Sequence, residues 1–205
     1  MNFSTYLDEL ASAAPTPGGG SAATIVAALG AALVAMVARI TRDNAAYASR
    51  HAIADNVIAK ADTVRAKAMA ARERDEAAYG AVVIAMALPK ATPDDKTART
   101  AALQTALTGA AAAPLETAGI AKLVADLADR ALALENPHLA SDLGCAAEFA
   151  SSALAAAAWN VRVNHKYMKD RDAIERQERE LARYERETAL LVKRVRFEVA
   201  RALAR

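Results

Sequence analysis

A chain of 205 residues, 54% hydrophobic and 24% charged, is long enough to bury a substantial core, and its formal net charge of +2 leaves no electrostatic footprint for nucleic acid. The single Cys145 excludes an intramolecular disulfide, and the isolated His51, His138 and His165 lack ligand spacing, so no metal site is indicated. Abundant Ala with interspersed Leu, Arg, Lys and Glu, and only 4% aromatics, predicts an all-α fold: one multihelical domain over 1–205, about seven long and short helices and no sheet.

Phe3, Tyr6, Leu7 and Leu10 fall at helical spacing and mark a short first helix. The stretch Pro15-Thr16-Pro17-Gly18-Gly19-Gly20-Ser21 is a turn, and no residue from Ala22 to Ala38 is charged. A buried helix is expected from Ser21, as N-cap, to about Tyr47. Three glycines free the backbone and remove every Cβ that would block a ligand. They feed a helix N-terminus whose free N–H groups suit an oxygen-rich or anionic group. The other reading is a tight link into a buried helix. The apolar run is just long enough to cross a membrane, but it is mostly Ala and lacks an aromatic belt, so a core helix is expected. Asp8 and Glu9 stand where a secretory leader needs basic and apolar residues, and a cytoplasmic protein is expected.

A third helix is predicted from His51 to Met86. Val57, Ala61, Val64, Ala68, Ala71, Ala78, Val82 and Met86 form its apolar stripe. Asp75 falls on that stripe, with Tyr79 one turn further on. A carboxylate there needs a partner, Arg72 or Arg74, or else a function. Leu88-Pro89-Lys90 ends this helix. Thr92 caps the next, with Pro93 at its first position and Asp94 and Asp95 in its first turn. That helix is expected to fade near Ala112, and Pro114 to start another reaching about Leu134. Glu135-Asn136-Pro137-His138 reads as a loop. Ser141 and Asp142 open a helix to Asn164, on which Asn160 and Asn164 share a face. Such a pair forms a polar pocket wall or an inter-helix hydrogen bond. The final helix, about Asp170 to Ala204, carries a stripe of Ile174, Leu181, Leu191, Val195, Val199 and Ala202, for packing or for a dimer contact.

No G-x-S-x-G or H-E-x-x-H occurs. The polar residues left at loops and helix ends, with Asp75, suit acid/base work on a small polar molecule, without metal or covalent chemistry.

Pro15–Ser21 followed by A-L-G-A-A-L-V-A-M-V, Asp75 with Leu88-Pro89-Lys90, Ala113-Pro114-Leu115-Glu116, Asn136-Pro137 with Ser141-Asp142, and Asn160-Val161 with Asn164 occur together in this order. In this the chain resembles the cyclodeaminase/cyclohydrolase family of folate enzymes, from Leu7 to Asn164. The resemblance implies a homodimeric helical enzyme with a folate site in a cleft associated with the dimer. It implies a tetrahydrofolate substrate; no permanently bound cofactor is expected, and charge and composition leave neither nucleic acid nor a membrane as an expected partner. The first activity it implies is hydrolysis of 5,10-methenyltetrahydrofolate to 10-formyltetrahydrofolate. The alternatives are cyclodeamination of 5-formimidoyltetrahydrofolate and a non-catalytic dimer that binds folate or a protein. On this reading Asp75 is the acid/base, Asp142 orients pterin or water, and Lys90 binds a carboxylate or an oxyanion. Pro17, Gly18, Gly19, Gly20 and Ser21 hold a folate carbonyl or carboxylate, Asn160 and Asn164 read the pterin edge, and Tyr79 and Asn136 line the site. Two departures from the family stand out: Arg42-Asp43-Asn44-Ala45-Ala46 carries few of the bases usual there, and Glu135 replaces the Gly usual before Asn-Pro.

Overall fold

The computed structural model describes residues 2–204. Within them the chain forms six α-helices: α1 (Phe3–Leu10), α2 (Gly19–Arg42), α3 (His51–Ala87), α4 (Pro93–Ala131), α5 (Ala140–His165) and α6 (Arg171–Leu203). Short 3₁₀ turns cover Ala45–Arg50, Leu132–Leu134 and Pro137–Leu139, and the described residues contain no strand.

Small side chains set the architecture. Ala27, Ala31, Ala35 and Ala38 of α2 are buried, with Val34 and Val37 between them, and α3, α4 and α5 pack around this helix. At Gly30 an added Cβ would lie 2.7 Å from Val124 Cγ1, so the α2–α4 crossing is closer than any larger residue permits. By length and mean hydropathy (2.2) α2 could cross a membrane, yet 67% of that segment is buried inside the bundle. The expected stripe of α6 is largely used within the chain: Leu181, Val195 and Val199 are buried where α6 crosses α4 and α5, with Val192 rather than the expected Leu191 fully buried between them.

Several boundaries move. α2 begins at Gly19 with Gly18 as N-cap, so Ser21 lies inside the first turn, and α2 ends at Arg42 rather than near Tyr47. None of the glycines has positive φ, so their use here is the missing Cβ rather than backbone freedom. Met86 is exposed and leaves the α3 stripe. The Thr92 cap is a full capping box with Asp95, as its sequence suggests. Glu135 adopts φ 53°, a left-handed position that favours glycine, and it pairs with Arg50.

The largest correction is at Pro114. It starts no new helix but sits buried inside the unbroken α4. Proline has no N–H, so the Ala110 carbonyl one turn back loses its helical donor. Asn164 Nδ2 of α5 donates to that carbonyl at 2.9 Å and to Asn160 O at 2.8 Å. Of the two sequence readings, the structure gives Asn164 the inter-helix hydrogen bond, and both its N–H groups serve backbone carbonyls. Asn164→Ala should therefore cost about 1–3 kcal/mol in denaturant melts. Adding Pro114→Ala, which restores an N–H to Ala110 O, should recover part of it. Additive losses in the double variant would refute the coupling.

Candidate active site

The first two residues of α2, Gly19 and Gly20, lack side chains, and the Ser21 backbone N–H that follows them is directed at Asp75 of α3. Asp75 fills the space a Cβ on Gly20 would take: that Cβ would stand 2.4 Å from both Asp75 carboxylate oxygens. Gly19 faces α5 less tightly: its would-be Cβ would be in ordinary contact with Asn160 Nδ2 at 3.4 Å. Asn160 donates to Ala156 O at 2.8 Å, and its Oδ1 accepts no hydrogen bond among the described residues. Tyr79, one turn beyond Asp75 on α3, is 43% exposed beside this opening. Gly18, Gly19, Gly20, Asp75, Tyr79 and Asn160 thus gather where α2 starts between α3 and α5, and Pro17 leads into that turn.

Asp75 is half-buried rather than a core residue. Neither candidate cation pairs with it. Arg72 is held by Glu76 at 2.7 Å, and Arg74 by Glu116 at 2.8 Å. Burial pushes the Asp75 carboxyl above the usual carboxylate range, and the neighbouring Glu76 charge pushes it further. The Ser21 backbone N–H draws it part of the way back. A carboxyl without a counter-ion, its protonated form favoured by burial, is the kind of group that exchanges protons in catalysis.

Ser21 is fully buried, so its hydroxyl does not face the opening. It meets Tyr6 Oη at 3.0 Å and donates to Glu76 Oε1 at 2.9 Å. Sequence reading missed Tyr6, Arg72 and Glu76 as parts of this site. The i,i+4 spacing of Arg72 and Glu76 around Asp75 was the available signal.

Three residues singled out in the sequence lie elsewhere in the same chain. Lys90 is exposed beyond the C-terminus of α3, and Ala87 alone is ~18 Å from Asp75 along the helix axis. Asn136 sits at the opposite end of α2, donating to Thr41 Oγ1 at 3.0 Å and accepting from Tyr47 Oη at 3.3 Å. Asp142, near the start of α5, is ~27 Å along that helix from Asn160. A cleft of about 1080 Å³ opens at this far end, lined by Asn56, Lys60, Arg130, Asn136 and Arg194 over an apolar floor. It is distant from the unpaired carboxyl. Among the described residues no group of three or more His, Cys, Asp or Glu is placed to share a metal ion.

The formiminotransferase-cyclodeaminase family model matches residues 2–183. The chain belongs to that family. Methenyltetrahydrofolate cyclohydrolase of Methylorubrum extorquens is 41% identical over 86% of this chain and 85% of that protein. Formimidoyltransferase-cyclodeaminase of Sus scrofa is 37% identical over 86% of this chain, which spans only 32% of that longer protein. The crystal structure of formiminotetrahydrofolate cyclodeaminase from Thermotoga maritima superposes with a TM-score of 0.88 at 25% identity, covering 99% of this chain and 98% of that one. This family member keeps the glycine turn and Asp75 in direct contact.

Proposed function

We propose that this chain hydrolyses 5,10-methenyltetrahydrofolate to 10-formyltetrahydrofolate, with Asp75 as the proton-transfer group. The observation that carries the reading is the Asp75 carboxyl, held without a counter-ion against the two glycines that open α2. The methenyl carbon bridges N5 and N10 in a delocalised cation, which a carboxylate attracts. Asp75 takes a proton from water as its oxygen bonds to that carbon. Asp75 then gives the proton to N5 as the C–N5 bond breaks. The hydroxyl oxygen becomes the formyl oxygen on N10 and releases its own proton to solvent. One water is consumed and one proton is freed. A raised carboxyl pKa serves both the uptake and the return. Asn160, with an open Oδ1, is the group for a pterin donor. The test is turnover of the methenyl substrate by purified protein.

Release of ammonia from 5-formimidoyltetrahydrofolate is the second reading, favoured by the likeness to the Thermotoga cyclodeaminase. Assaying both substrates side by side separates the two. Folate binding with turnover of neither would overturn both.

In this reading the enzyme is a homodimer. Leu29, Met36 and Ile40 of α2 are 44%, 36% and 47% exposed. With Ala22, Val26, Ala32 and Leu33 they form an apolar seam along the helix. A two-fold axis through the middle of this seam would set the two α2 helices antiparallel. The Asn136–Asp142 end of one protomer would then lie opposite the Asp75 end of the other, ~35 Å away along α2 within one chain. That gives Asn136 and Asp142 a place in the site. Leu29→Glu with Met36→Glu should yield a 21.5 kDa species in light scattering, with loss of turnover. A wild-type protein that is monomeric at micromolar concentration and fully active would refute the arrangement.

A further inference from the structure

The hydroxyl of Ser21 has two neighbours, and together they form a chain that ends in a charge. Tyr6 is only 3% exposed, and its Oη lies 3.0 Å from Ser21 Oγ. Ser21 Oγ donates to Glu76 Oε1 at 2.9 Å, and Arg72 Nη1 donates to the same oxygen at 2.7 Å. α1, α2 and α3 are thereby tied at one point, beside the turn in which Gly20 meets the Asp75 carboxyl. Fixing this knot fixes how the Ser21 N–H of α2 addresses Asp75.

We propose that Glu76 is the positioning residue of this site: clamped by Arg72, it grips Ser21 and holds the first turn of α2 against Asp75. The proposal rests on Asp75 being the proton-transfer group. Glu76 acts in two separable ways, by reach and by charge. Its reach to Ser21 sets geometry. Its charge bears on the proton affinity of Asp75 from the adjacent position. The surroundings make that charge count. α2 offers Asp75 the Ser21 backbone N–H, α5 brings the neutral Asn160 to the adjacent Gly19, and Tyr6 of α1 contacts Ser21. On α3 itself Arg72 is engaged by Glu76, and Glu116 of α4 is engaged by Arg74.

Two substitutions separate reach from charge. Glu76→Gln keeps an acceptor for Ser21 and removes the charge. Glu76→Asp keeps the charge and shortens the side chain by one methylene. For Glu76→Gln, the acid limb of the kcat/KM pH profile should move to lower pH. For Glu76→Asp, the limb should stay nearer its wild-type position while plateau kcat falls on the order of 10- to 100-fold and KM changes much less, the scale of a small misplacement of catalytic groups. A merely structural Glu76 would lower the melting temperature and the active fraction in both variants, with the limb and the kcat of folded molecules unchanged. That result, or two variants matching wild type in limb and kcat, overturns the proposal. Asp75→Asn is measured in parallel. Its inactivity alongside wild-type-like Glu76 variants denies only the Glu76 role, whereas full activity of Asp75→Asn removes the reading of Asp75 and this proposal with it.

Discussion

Asp75→Asn should abolish most turnover and leave the fold intact. The amide keeps the size of the side chain but cannot exchange the proton, so kcat should drop by roughly 10²–10⁴-fold, the usual share of general acid–base catalysis. Folate affinity should change much less. Stability argues in the same direction. The folded state raises the Asp75 pKa, so the ionised carboxylate destabilises the fold above that pKa. The penalty disappears once pH falls below the unfolded value of about 3.9. Asp75→Asn should therefore melt at or above the wild-type temperature at pH 7 and lose that advantage in acid. No cation is stranded by the change, because Arg72 and Arg74 are already paired with Glu76 and Glu116. Melting curves at two pH values and single-turnover rates read both effects. A stable, fully active variant would remove Asp75 from the mechanism.

Gly20→Ala should produce nearly the same kinetic defect by a different route. The new methyl group would stand 2.4 Å from both Asp75 oxygens, well inside the contact distance of a carbon and a non-bonded oxygen. A carboxyl at the end of a rotatable side chain can swing aside, so the clash is resolved by displacing Asp75 rather than by unfolding α2. Alanine inside a helix also gains about 0.5–1 kcal/mol over glycine, which offsets residual strain. The expected result is a folded protein with a melting temperature within a few degrees of wild type and turnover down by about 10²-fold, the scale of a misplaced catalytic group. Combining it with Asp75→Asn should add little further loss, since both act through one carboxyl. Full additivity, or an active Gly20→Ala protein, would show that the glycine serves packing alone.

The helical class and most helix limits are legible from the chain alone. Alanine content, the His51–Ala87 periodicity and the Thr92–Pro93–Asp95 cap act locally, and local preferences suffice for helices. The chain also marks Asp75 and the glycine turn, because a charge on an apolar stripe and three adjacent glycines both violate local expectation. Which charges meet depends on how the helices pack. Arg72 and Arg74 both lie within a turn of Asp75 along the chain, yet each is taken by a different glutamate, and Glu116 is 42 residues away from its partner. Pro114 reads as a helix start because its missing N–H breaks the local pattern, while Asn164, 54 residues from Ala110, supplies the donor that keeps α4 whole. Asn136 and Asp142 look like neighbours of Asp75 in a list of motifs. They stand at the far end of the bundle because helices of ~35–40 Å carry residues apart at a fixed rise, and no spacing along the chain reveals which ends fold together.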